Sequence, residues 1–146
     1  MSTSSSLVRA AYRFVVPNSA LAPKVGRDLL ATLLVITGHP QFVDAARLCV
    51  SEVITNVHLH TRTTLLYLDV HTQAGRVNVS VWDEAWRQRP TPARPGDYTD
   101  DERGRGLLLV QSLASQWGVT WPAEAEVARK RVWFVLDESE QYGAAA

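Results

Sequence analysis

Hydrophobic and polar residues alternate near the start of the chain, where Ala10, Tyr12, Phe14 and Val16 are interleaved with Arg9 and Arg13 until Pro17 stops the run. A period of two marks a strand with one buried face, so Leu7 to Val16 reads as a first strand, at a sheet edge. The period then lengthens. Asn18 and Ser19 are good helix caps, and Leu21, Val25, Leu29, Leu33 and Ile36 recur at three- and four-residue steps as far as Gly38 and Pro40, which predicts a first helix. From Gln41 to about Leu59 a second helix is predicted. There Phe42, Ala46, Cys49, Val53 and Val57 share one stripe, although the β-branched Val50, Val53 and Ile54 weaken its intrinsic propensity.

Leu65 to Thr72 and Arg76 to Trp82 are runs of β-formers separated by Gln73-Ala74-Gly75, the pattern of an antiparallel hairpin. Periodicity is then lost from Glu84 to Arg103, where Pro90, Pro92, Pro95 and Gly96 mix with Asp97, Asp100, Asp101 and Glu102. A loop of about 20 residues in a compact domain is usually a lid, a binding loop or a disordered segment. Helical spacing returns over Leu107 to Trp117, with Gly118 as its C-terminal cap, and Val119 to Trp121 and Lys130 to Leu136 close the pattern as a last hairpin. Strands that come in pairs rather than in β-α-β alternation predict an α+β two-layer sandwich, a mostly antiparallel sheet with helices on one face.

With 146 residues the chain suits one domain over 1–146, with a core over 7–137 and flexible ends at the Ser/Thr start and the Gly143 to Ala146 tail. Fifteen basic and fifteen acidic side chains cancel, which argues against a protein built to neutralise nucleic-acid phosphates or an anionic membrane. The densest apolar stretch, Leu29 to Ile36, is far short of the roughly 18 residues a membrane span needs. Cys49 is the only cysteine and no apolar leader follows Met1, so the expected location is cytoplasmic, with no membrane and no direct nucleic acid contact.

Three groups of residues could carry chemistry. Glu52, Asn56 and His60 follow one another at four-residue steps along one side of the second helix, beside its apolar stripe. Polar groups at such a border need partners, although a solvated helix edge fits the same spacing. Asp83 ends the strand that carries Val77, Val79 and Val81; it could accept a ligand's amino group or simply begin a turn. Gly104-Arg105-Gly106 stands directly before a helix, where small residues and free amides favour phosphate, and where a hinge would look the same. Other chemistries are disfavoured. His58 and His60 project about 200° apart and cannot share a metal, no HExxH, CxxC, GxSxG or GxxxxGK[ST] occurs, and Cys49 lies on the apolar stripe.

Taken in order, these groups resemble a known family. Ser51-Glu-Val-Ile-Thr-Asn-Val-His-Leu-His60 is similar to the N box of the histidine-kinase-like ATPases, Val79-Ser-Val-Trp-Asp83 to their adenine-binding strand, and Gly104-Arg-Gly-Leu-Leu-Leu-Val110 to their second glycine box. Leu113 to Gly118 and Val132 to Leu136 further resemble the short anti-sigma regulatory kinases of that superfamily. The resemblance spans about residues 7 to 137 and implies a Bergerat ATP-binding fold with the loop from Glu84 to Arg103 as lid. It implies ATP and Mg²⁺ as cofactors, Glu52 as general base, Asn56 as the Mg²⁺ ligand, and cofactor contacts from Asn56, His60, Asp83, Gly104, Arg105, Gly106 and Leu107. The implied activity is a serine/threonine protein kinase that phosphorylates a small anti-anti-sigma-type antagonist protein and so regulates transcription through a sigma factor, often as a homodimer.

Ala85, Trp86 and Arg131 depart from the family pattern, Arg131 standing where a small hydroxyl residue usually serves the adenine side. They motivate an alternative: a catalytically inactive regulatory module of the same fold that sequesters a protein partner without phosphotransfer.

Overall fold

The structure, a computed structural model, describes residues 9–60, 63–83, 107–120 and 130–139. In chain order these form β1 (Ala10–Pro17), α1 (Ala22–Ile36), a 3-10 turn (Pro40–Phe42), α2 (Val43–His60), β2 (Leu65–Gln73), β3 (Arg76–Asp83), α3 (Leu108–Leu113), β4 (Gln116–Thr120) and β5 (Arg131–Asp137). The strands join in one sheet of order β1-β2-β3-β5-β4, with every neighbouring pair antiparallel. Helices pack on one face of it, giving the α+β two-layer sandwich that the strand pairing predicts.

Alternation decides which side chains that face receives. Phe14, Leu68, Val81 and Val132 are successive cross-strand partners, and all four join the core beneath Val50, Val53 and Val57 of α2. Val79 and Phe134 form the next row and are fully buried. The opposite face of the sheet carries the intervening residues: Arg13 forks onto Asp69 at 2.7 and 2.8 Å, and Arg131 lies between the rings of Trp82 and Trp133 at 5.5 and 5.7 Å.

The first helix is rotated from the phase its large side chains suggest. Its buried residues are Ala22, Gly26, Leu30, Leu33 and Leu34, while Leu21, Val25 and Ile36 are exposed. The cause is the approach to α2. Gly26 sits against Ile54 so closely that a Cβ there would collide with the Ile54 δ-methyl, so the small-residue side of α1 is the side that meets its neighbour. The displaced stripe instead borders an open groove of about 570 Å³ that Tyr12 and Phe14 share with Val25, Leu29 and Ile36. Gly38, at φ 83°, ends the helix. Its N–H donates to the Val35 carbonyl at 3.2 Å and the His39 N–H to the Leu34 carbonyl at 2.7 Å, a left-handed cap that glycine adopts without steric cost.

The third helix is also shorter than the pattern predicts. It stops at Leu113, and Trp117 and Gly118 belong to β4, opposite Phe134 and Trp133. Trp117 packs against the core, which draws this segment onto the sheet. Gly118 permits the Trp133 indole to lie over it, since a Cβ would stand 2.7 Å from the ring, so this glycine serves close packing and not a helix cap. Among the described residues, no helix is long and apolar enough to cross a membrane.

Candidate functional site

The second helix carries the site. Its stripe of Ala46, Cys49, Val50, Val53 and Val57 is buried on the sheet, which fixes the helix in rotation and sets Glu52 and Asn56 at the border facing α3 and the ends of β3 and β5. Cys49 serves only as filler: burial, with the nearby Glu52 charge, pushes its thiol up to about 12. His58 turns elsewhere. Its Nδ1–H donates to Asn18 Oδ1 at 2.8 Å, and Asn18 in turn donates to the Thr63 carbonyl at 2.7 Å, tying the end of α2 to the β1–α1 connection.

Glu52 reaches across to α3. The Leu109 N–H donates to its carboxylate, at 3.0 Å to Oε2 and 3.3 Å to Oε1. Leu109 lies in the first turn of that helix, where amides have no partner within the helix and favour a negative charge. Burial pushes the Glu52 carboxyl above its ordinary value, and the amides of Leu109, Val110 and Leu108 pull it back.

Asp83 and Asn56 are joined through a residue the motifs do not contain. Asp83 is 2% exposed at the end of β3; its N–H donates to the Lys130 carbonyl at 3.2 Å and its Oδ1 accepts the Lys130 N–H at 3.1 Å. Lys130 is thereby held at the head of β5. Its side chain extends to α2, where Nζ donates to Asn56 Oδ1 at 3.4 Å, and Asn56 is itself 5% exposed.

The structure thus links Asn56 to Asp83 through Lys130, and links Glu52, one turn earlier on α2, to the start of α3, where Leu107 is buried in the core. Gly104, Arg105, Gly106, Ala85, Trp86 and the segment from Glu84 to Arg103 expected to form a lid lie outside the described residues, as does the His60 side chain at the end of α2. Arg131 does not border this site. It pairs with Trp82 on the outer face and its Nε donates to Ser80 Oγ at 3.1 Å, so the residue beside Asp83 is Lys130. The signal for Lys130 was present in the alternation: Val132, Phe134 and Leu136 face the helices, which puts Lys130 on their side and Arg131 on the other.

Comparison with known proteins agrees with this fold. Residues 18–133 match the family model of the histidine kinase-like ATPase domain. No curated protein matches the chain. Among solved structures, that of the RsbU and RsbW domains of Rv1364c from Mycobacterium tuberculosis is similar, with a TM-score of 0.63 at 16% identity, covering 88% of this chain and 32% of that one. The match includes Glu52, Asn56, Asp83 and Lys130, and on it the chain belongs to the histidine kinase-like ATPase domain family.

Proposed function

We propose that this chain binds ATP between α2, α3 and the Asp83 end of the sheet and transfers its γ-phosphoryl group to a serine or threonine hydroxyl of a small antagonist protein. The observation that carries the reading is that Lys130 links Asn56 to Asp83 while Glu52, one turn before Asn56 on α2, meets the start of α3, within a histidine kinase-like ATPase domain.

The residues fit the charges of such a ligand. Asn56 Oδ1 attracts a cation, since the chain's own Lys130 ammonium rests on it, and the first amides of α3 attract an anion, since the Glu52 carboxylate rests on them. Asn56 would hold Mg²⁺, which supplies neutralisation of phosphate charge. Asp83, buried and accepting hydrogen bonds, would take the adenine amino group. Glu52, whose carboxyl burial makes more basic, would remove the acceptor hydroxyl's proton as that oxygen forms its bond to the γ-phosphorus and the bond to the β-phosphate oxygen breaks, releasing ADP.

Glu52→Ala separates binding from chemistry. We expect calorimetric affinity for a non-hydrolysable ATP analogue to persist in this variant while labelled phosphate transfer to a serine-bearing partner falls by about 10²- to 10⁴-fold. Transfer at the unaltered rate would reject Glu52 as the base. A wild-type chain that binds no analogue at millimolar concentration, yet holds a protein partner, would be the inactive regulatory module instead.

A further inference from the structure

Lys130 stands between the two halves of the site. Its backbone is clamped to Asp83 by hydrogen bonds in both directions, at 3.2 and 3.1 Å, and its ammonium reaches Asn56 Oδ1 at 3.4 Å. The side chain therefore runs from the proposed base side to the proposed phosphate side, and its charge lies on the oxygen to which a divalent cation would be drawn. A magnesium ion binds oxygen at about 2.0–2.1 Å in a strict octahedron and tolerates no ammonium in its place. When the metal–nucleotide takes Asn56, the Lys130 charge must leave that oxygen, and the same nucleotide brings the anionic polyphosphate within the reach of its side chain.

Resting on the ATP-binding reading, we propose that Lys130 is a resident counter-cation of the nucleotide site: it holds the cation position on Asn56 before nucleotide arrives and then contacts the phosphates. Three observations carry this. The contact to Asn56 joins two side chains, so exchanging it breaks no backbone hydrogen bond of the strand. The backbone clamp keeps the side chain's root beside Asp83, within the site. The next residue, Arg131, is committed to Trp82, Trp133 and Ser80 on the far face and cannot supply this charge. Lysine suits the role, being a compact point charge on a flexible stem that moves from one oxygen to another at small cost.

The consequence is nucleotide binding that survives removal of Mg²⁺. Calorimetric titration of the purified chain with a non-hydrolysable ATP analogue, in Mg²⁺ and in EDTA, tests this on the wild type, Lys130→Met and Lys130→Arg. A charge-assisted contact to phosphate predicts that Lys130→Met binds the analogue about 10- to 100-fold more weakly in EDTA, with a smaller loss in Mg²⁺ because the metal supplies the missing charge. Lys130→Arg should restore most of the metal-free affinity. A thermal melt on each variant accompanies the titration, and if Lys130→Met is unfolded the comparison passes to Lys130→Gln. Metal-free affinity of the uncharged variant within about twofold of wild type would overturn the proposal, as would tighter binding, which would make Lys130 an obstacle. A wild-type chain that binds no analogue in either buffer would overturn the ATP-binding reading itself, an outcome distinct from unaltered affinity in the variants.

Discussion

Lys130 and Arg131 are adjacent cations at the head of β5, and the sheet sends them to opposite sides of the molecule. Lys130 turns toward α2 and meets Asn56; Arg131 turns outward and is held between two tryptophan rings. Neither charge type nor position in a motif separates them. The difference is parity: Val132, Phe134 and Leu136 are buried under the helices, and a strand reverses the direction of its side chains at every residue. One face of the sheet is thus a core that ends in a polar site, and the other a surface stitched by stacked and paired side chains. A substitution's effect should follow its face.

The largest expected effect lies on the helix side. Phe134 is fully buried between Val79 across the strand and Trp117 of β4. Phe134→Ala should destabilise the fold by about 3–5 kcal/mol, from lost burial plus the cavity left behind, measured as a shift in the urea midpoint at unchanged slope. A cost below about 1 kcal/mol would mean that this face is not the closed core described.

The same parity marks how far the sequence can be read. Strand and helix order, the hairpin at Gly75 and the stripe through Phe42, Ala46, Cys49, Val53 and Val57 were legible because one periodicity dominates each segment. The phase of α1 was not, because Gly26 and Ala22 give no hydrophobic signal, and it is their smallness against Ile54 that turns the helix. The end of α3 was not, because Trp117 fits a helical spacing as well as a strand that buries it. In the site, Glu52, Asn56 and Asp83 stand out as polar residues beside apolar runs; the structure links Asn56 to Asp83 through Lys130 and turns Glu52 to the start of α3. For Lys130 the alternation gives the side of the sheet but not the role, which depends on a contact to a helix residue 74 positions away in sequence.

A smaller effect is expected from the outer face. Arg131→Ala removes a guanidinium that stacks on Trp82 and Trp133 and donates to Ser80, which should cost about 0.5–2 kcal/mol of stability. Affinity for the ATP analogue should stay at the wild-type value. Weakened binding to the degree expected of Lys130→Met would break the comparison, because it would place Arg131 in the site with its neighbour.

The smallest effect, and the one that separates the faces by sign, is the dependence of stability on pH. Asp137 lies on the outer side, where the Ser139 hydroxyl and the Arg76 guanidinium, the latter at 2.6 Å, hold its carboxyl below the usual range. Its charged form is the favoured one in the folded chain. Its contribution is therefore present above the ordinary aspartate range and is lost as pH falls through the lowered value. Glu52 on the helix side is the reverse. Burial raises its carboxyl, the folded chain retains the proton longer, and the contribution is complete below the ordinary glutamate value and is lost as pH rises through the raised one. Thermal melts of the wild type, Asp137→Asn and Glu52→Gln across the acidic range should therefore diverge in opposite senses: the advantage of wild type over Asp137→Asn grows with rising pH, and its standing against Glu52→Gln declines. Parallel curves for Glu52→Gln would mean that the Leu109 amide offsets the burial of this carboxylate in full, leaving it no more basic than one in water and weakening its case as the base.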